Sequence, residues 1–225
     1  MRRFLGDNGL SLSFLAIFLL SLIGQSVAGW FDENEHLVEH GQAAVSYGHF
    51  VTSSSFLVDV AENWQSEFLQ FFLFIFGTVW LIQRGSPESK KPGHAGPGTR
   101  KEQRMGRFAR AGSPRWSAAG GVREWAYANS LLIVMGVVFL LSWFAQSLGG
   151  MTALNEQNAQ HGQAALTWLE YIVAPDFWNR TLQNWQSEFL AVGAMVTLSI
   201  YLRQQGSSQS KPVGAPHAAT AEEST

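Results

Sequence analysis

An ungapped internal repeat constrains this chain more than any other feature. Displaced against itself by 121 residues, the sequence lays NWQSEFL of residues 63–69 on the same heptapeptide at 184–190, and HGQAA of residues 40–44 on HGQAA at 161–165. Smaller identities keep the register. Asn8 falls on Asn129, FLLS of 18–21 on 139–142, Gln25-Ser26 on Gln146-Ser147, and Asn34-Glu35 on Asn155-Glu156. Gln83, Gly85 and Ser86 fall on Gln204, Gly206 and Ser207. A register held without a gap over both halves reads as tandem duplication, so the fold must be built twice from one unit.

Each unit carries its apolar residues in blocks. The average of 46% hydrophobic residues and a net charge of −2 would suit a soluble domain, but residues 10–27 and 130–148 contain no ionisable side chain. Each is long enough as a helix to cross a hydrocarbon core of ~30 Å. Two shorter runs, 68–82 and 189–202, reach a spanning length only by borrowing from the NWQSE block before them. The fold class expected is therefore all-α: an integral membrane bundle of four transmembrane helices, arranged as two tandem repeats with helical caps outside. Repeat unit 1 covers residues 1–84, with spans at about 9–28 and 64–82. Repeat unit 2 covers 123–206, with spans at about 128–148 and 185–203. Nine tryptophans suit two membrane–water interfaces, and the absence of cysteine excludes disulfides. Arg2-Arg3, an apolar run and Ser26-Val27-Ala28 also resemble a signal peptide. The recurrence of the same layout at 131–150 favours a retained span.

Two spans per unit insert both copies with one orientation, as parallel repeats about an axis along the membrane normal. Charge gives the direction. From Arg84 to Arg123 the chain carries ten Lys or Arg against Glu88 and Glu102, whereas residues 29–67 carry no Lys or Arg and seven Asp or Glu. The positive-inside bias places both termini and the middle linker in the cytoplasm, and the HGQAA loops outside. The linker, 85–122, rich in Gly, Pro, Ser and basic residues, reads as disordered, as does the tail, 207–225. Two readings fit the linker's charge: it keeps the loop inside, or Arg100, Lys101, Arg104, Arg107, Arg110 and Arg115 lie on anionic lipid headgroups.

In the second outer loop, residues 151–173 run without proline and place Ala165, Trp168, Leu169 and Ile172 on one helical face. Pro175 then interrupts, and Asp176 is a candidate N-cap for a helix running through Trp185 into the last span. Ser53, Ser54 and Ser55 occupy the same place in the first copy. Phe56, Val60 and Trp64, with their counterparts Phe177, Thr181 and Trp185, form the apolar stripe of these extensions.

Gln25, Glu67, Gln146 and Glu188 are candidates for a polar ring, because all four fall near the outer ends of spans. An ionisable group at such a depth is costly unless paired, hydrated or facing protein. Three roles compete: hydrogen-bonding glue between helices, a cation or proton path, and interfacial anchoring. The other doubled positions are His40, Gln42, Asn63 and Trp64, matched by His161, Gln163, Asn184 and Trp185. The histidines can cap the loop helix or sense external pH; Trp64 and Trp185 read as interfacial belt residues. His36 and His40 stand at i and i+4, but Gln157 replaces His36 in the second copy and HExxH is absent, so no metal site is assigned. Asp59 falls opposite Arg180 in the repeat register, which suggests an ion pair between repeats; drift at two solvent-facing positions is the alternative.

The doubled HGQAA and NWQSEFL blocks, the four spans and the basic linker resemble an uncharacterised bacterial membrane-protein family known only as a domain of unknown function. The resemblance covers both repeats, leaves out linker and tail, and implies a bacterial cytoplasmic (inner) membrane without implying an activity. No catalytic constellation, nucleotide loop or cofactor motif is present in the sequence, so no catalytic residue, cofactor or nucleic-acid partner is expected. The expected function is non-enzymatic assembly or partner contact at the envelope. The competing class is a small cation or proton channel or transporter past Glu67 and Glu188, for which four spans call for a homodimer.

Overall fold

The structure, a computed structural model, describes residues 2–220. Among these its regular secondary structure is all helical, with no strand. The helices are α1 (Arg2–Asp7), α2 (Gly9–Glu39), α3 (Tyr47–Phe50), α4 (Ser54–Trp80), α5 (Gly121–Ala128), α6 (Ser130–Gln160), α7 (Trp168–Tyr171) and α8 (Pro175–Tyr201). The repeat register carries through to the backbone. α2 and α6 are each 31 residues long, α4 and α8 each 27, and α3 and α7 each four. Every pair begins and ends 121 residues apart.

Two helices, α2 and α6, are long and apolar enough to cross a membrane. Only 6% and 17% of their most apolar stretches are buried, which is not how the core helix of a soluble domain sits. α4 and α8 have the length but not the apolarity, because the Asn-Trp-Gln-Ser-Glu block occupies the middle of each. The distribution of polarity fits the same environment. Ser26, Gln65, Ser66, Ser142, Gln146, Ser147 and Thr181 are buried, while Leu10, Phe14, Leu20, Leu140, Leu141 and Leu190 are exposed. Lipid tails are as apolar as leucine, so helices in a bilayer gain little by hiding leucine and more by burying small and polar groups against each other.

The chain forms two compact units. The first comprises the chain up to Val60 with Ala145–Tyr171; the second comprises Ala61–Phe144 with the chain from Ile172 on. In the first, both long helices continue past their apolar stretches and end at the HGQ tripeptides. A single outer helix over residues 151–173 is therefore not what forms. Residues 151–160 extend α6, Gly162 at φ +66° ends it, and only Trp168–Tyr171 is helical again. Pro175 supplies the first position of α8 with Ala174 as its N-cap, which leaves Asp176 in the first turn rather than at the cap. In the first copy Ser53 caps α4, its Oγ accepting from the Phe56 N–H at 3.2 Å.

In the second unit, the segment read as a disordered linker is described as a succession of turns with two short 3-10 helices, Gly106–Phe108 and Arg115–Ala118, leading into α5. The repeat extends into these turns. Ser89 Oγ accepts from the Gln83 N–H at 2.8 Å, as Ser210 Oγ does from Gln204 at 2.9 Å. The next residue is lysine in both. Lys90 Nζ donates to the carbonyls of Val79 and Gly96, and Lys211 Nζ to those of Gly85, Pro216, His217 and Ala219. Burial holds the Lys211 ammonium below its ordinary value, and Arg203 adds to the effect.

Candidate functional site

The doubled HGQ motif is a helix C-cap. At the end of α2, Gly41 takes φ +71°, its N–H donates to Val38 O at 3.0 Å, and the Gln42 N–H donates to Leu37 O at 2.8 Å. At the end of α6, Gly162 takes φ +66°, donating to Ala159 O at 3.2 Å, with Gln163 donating to Asn158 O at 2.8 Å. Glycine is required there because a Cβ is strained in the left-handed region, and the two bonds satisfy carbonyls that the helix end would otherwise leave open. His40 Nδ1 lies 2.8 Å from His36 O and His161 Nδ1 2.8 Å from Gln157 O. Both imidazoles thus bond back to a carbonyl in the last turn, and both are exposed. The side chains of Gln42 and Gln163 are exposed as well.

A second doubled device follows at once. The Asn34 amide grips Val45 from both sides, accepting its N–H at 2.7 Å and donating to its C=O at 3.1 Å. Asn155 does the same to Leu166 at 2.7 and 2.9 Å. One side chain thereby replaces the strand neighbour that the extended segment lacks. The short helix beyond it is pinned to its own long helix: Ser26 Oγ bonds Tyr47 OH at 2.8 Å, and Ser147 Oγ accepts from Trp168 Nε1 at 2.9 Å. Close approach is possible because a glycine faces an aromatic ring. A Cβ on Gly29 would lie 2.9 Å from Phe50 Cζ, and one on Gly150 2.9 Å from Tyr171 Cζ. In this same unit Gln25 is half-buried and Gln146 is fully buried.

In the second unit the NWQSE blocks do different work in the two copies. Gln65 is fully buried and its Oε1 accepts from Trp185 Nε1 at 2.7 Å. Gln186, its counterpart in the repeat register, is exposed. Trp185 packs in an aromatic group around Trp143, whose ring lies 5.8 Å from Phe177, 5.9 Å from Trp185 and 6.1 Å from Trp178. Trp143 Nε1 donates to the buried Thr181 hydroxyl at 3.3 Å. Arg180 bridges Glu62 on α4 at 3.3 Å and Asp176 one turn back at 3.4 Å. Thus an ion pair between the repeats exists at Arg180 within this unit, with Glu62 as the acid. Asp59, half-buried on α4, belongs to the first unit.

Glu67 is exposed and Glu188 half-buried, and the two carboxylates lie within electrostatic reach of each other. Asn63 and Trp64 are exposed, whereas Asn184 is half-buried and donates to Arg180 O at 3.0 Å. Neither Gln65, the Asn34 and Asn155 grips, nor the two glycines facing aromatic rings was singled out from sequence. Their signal was present as identities in the register (Gly29 with Gly150, Asn34 with Asn155), but identity alone does not distinguish a contact from a span boundary.

Elsewhere, Arg100 pairs with the buried Glu124 at 2.6 Å, and Arg107 lies 4.8 Å over the Phe108 ring. A family model described as a domain of unknown function (DUF6766) matches residues 1–222. No curated protein and no solved structure matches the chain.

Proposed function

The chain belongs to the DUF6766 family, a domain of unknown function, and from that premise we propose that it is a non-enzymatic, multi-pass protein of the bacterial cytoplasmic membrane. It acts through assembly or partner contacts at the envelope. Its four spans form two parallel repeats, with termini and linker in the cytoplasm and the HGQ caps outside. The observation that carries this reading is where the motif polar groups go. Asn34, Asn155, Gln65, Trp185 and Arg180 bond to other parts of this fold, so they build a scaffold rather than present a reactive surface. Reporter fusions at Gly98 and Thr225 should read cytoplasmic, and fusions near Ser53 and Pro175 external. An external signal at Gly98 would overturn the arrangement.

A second reading is a small cation or proton path, favoured by the proximity of Glu67 to Glu188 and the preference of carboxylate pairs for cations. It needs a second copy of the chain to enclose a pore. Proteoliposome flux separates the two. The assembly reading expects background conductance from the wild type; the path reading expects a conductance that falls in the Glu67→Gln, Glu188→Gln double variant.

A further inference from the structure

A cavity of about 550 Å³ lies in the second unit between the C-terminal half of α4 and α8, inside the size range of small-molecule sites. Its walls are apolar, built from Leu73, Phe74, Val192 and Val196, and Gly77 leaves it open. A Cβ at Gly77 would meet only Leu81 Cδ1, at 3.8 Å, an ordinary contact. Polar groups gather at the turn beyond α4, where Gln83, Ser86, Glu88 and Ser89 line the space. The two serine hydroxyls are occupied with the backbone of that turn, accepting from the Glu88 and Gln83 N–H groups. Lys90, the neighbouring cation, is turned into the carbonyls of Val79 and Gly96. The half-buried Glu88 carboxylate lines the cavity with no salt bridge among the described residues, and burial pushes its carboxyl above the usual value.

The other copy carries different side chains at two of the lining positions. In the repeat register Leu198 stands where the first copy has Gly77, and Gln209 where it has Glu88. One difference would fill the space and the other would remove its charge. We propose that this cavity binds a long-chain amphiphile with a primary ammonium head, its alkyl chain along Leu73, Phe74 and Val192 and its head at Glu88. An apolar tail removes cavity wall from water or headgroup contact, and the ammonium supplies the charge-assisted donor that the carboxylate lacks. This inference goes beyond the assembly reading and does not depend on it.

The chemistry is shared by a free alkylamine and an amine-headed phospholipid, and photo-crosslinking probes distinguish them. The full chain is reconstituted in vesicles of phosphatidylcholine and phosphatidylglycerol, which lack a primary amine. Diazirine-bearing hexadecylamine, hexadecanoic acid and a phosphatidylethanolamine with one diazirine chain are then compared. One or both amines should label the peptides of residues 70–89 and 189–196 saturably, about tenfold above the acid; which of them does so identifies the source. Gly77→Leu, which installs the residue of the second copy, should abolish the labelling, and Glu88→Gln should remove the preference for amine over acid while tail labelling persists. Equal labelling by amines and acid in the wild type, or labelling indifferent to Gly77→Leu in a variant with unchanged helicity, overturns the proposal.

Discussion

The two copies agree almost bond for bond in the segments that close their long helices, 34–50 and 155–171, and part company along the helices that follow. In each, the long helix ends in the same glycine cap, the asparagine grips the same backbone position, and the short helix hangs from the same serine. These are contacts within one copy, and both copies need them for the same local reason. Along α4 and α8 the partners belong to different copies, and identity is no longer useful. A tryptophan donor needs an acceptor, so Trp185 takes Gln65 while the exposed Gln186 is left outside. A cation needs an acid, so Arg180 takes Glu62. Sameness in this chain marks local closure, and difference marks contact between α4 and α8.

The strongest way to break that comparison is to fill the glycine gaps. Gly29→Ala and Gly150→Ala each drive a methyl into an aromatic ring that is itself buried, Phe50 at 3% and Tyr171 at 0% exposure. Overpacking of this kind costs about 1–3 kcal/mol, and Gly150 should cost more because the Tyr171 hydroxyl also stands in the way. Unfolding of both variants in lipid nanodiscs measures the difference. A Gly150→Ala variant as stable as wild type would mean that the close approach is absent in solution.

The asparagine grips come next. Asn34→Ala and Asn155→Ala each remove two hydrogen bonds to a single residue. Net loss per bond is about 0.5–1.5 kcal/mol, and the sharp expectation is that the two variants lose similar amounts. Hydrogen exchange at Val45 and Leu166 should rise together. A large cost in one copy beside none in the other would show that these segments are less alike in energy than in geometry.

These contacts also show what the sequence could and could not disclose. The repeat register, the four long helices and the breaks between them follow from periodicity and from identities that any pairing of the copies exposes. The position of His40-Gly41-Gln42 at a cap was within reach, since glycine after a helix is the ordinary stop signal. The hydrophobic face over residues 151–173 predicts one longer helix, but the stop signal at Gly162 prevails over it. Gln65 was illegible for a different reason. It shares its motif with Gln186, and nothing local distinguishes a glutamine that will be buried against an indole from one that will face outward; only the packing of α4 and α8 decides. The Glu62 partner of Arg180 is illegible in the sequence for the same cause. The register points to Asp59, whereas the packing of α4 and α8 within the second unit brings Glu62 to Arg180.

A charge-reversal cycle sharpens that last point. Glu62→Arg and Arg180→Glu should each destabilise, and the double variant should recover part of the loss. Arg180 is 38% exposed and Glu62 19%, so solvent screening limits the coupling to about 1 kcal/mol or less. The retained Asp176 on the other side of Arg180 makes recovery incomplete. The same cycle run with Asp59 in place of Glu62 tests the pairing expected from the register. Coupling at Asp59 as large as at Glu62 would mean that Arg180 serves both acids.

The smallest expected effect lies where the caps of the two short helices do differ. α7 begins with a reciprocal cap: the Thr167 N–H and hydroxyl both donate to Glu170 Oε2 at 2.8 Å, and the Glu170 N–H donates back to Thr167 Oγ1 at 3.4 Å. α3 has only the serine half, Ser46 Oγ accepting from the His49 N–H at 3.3 Å. The Thr167 bonds hold the Glu170 carboxyl below its ordinary value of 4.5. Because the folded value is depressed, the contribution is fully present above 4.5 and is lost as pH falls through the folded value. Acidification should therefore loosen the second cap by a mechanism the first does not possess. Protection of the Thr167 amide, its exchange measured against that of an unstructured amide at each pH, should fall below about 4.5 as pH is lowered from 6, whereas the Tyr47 and His49 amides should show no carboxylate step in that window. Glu170→Gln should already be accelerated at pH 6 and should lose the acid step. An acid step that survives in Glu170→Gln would assign the titration to another carboxylate and leave the two caps equivalent.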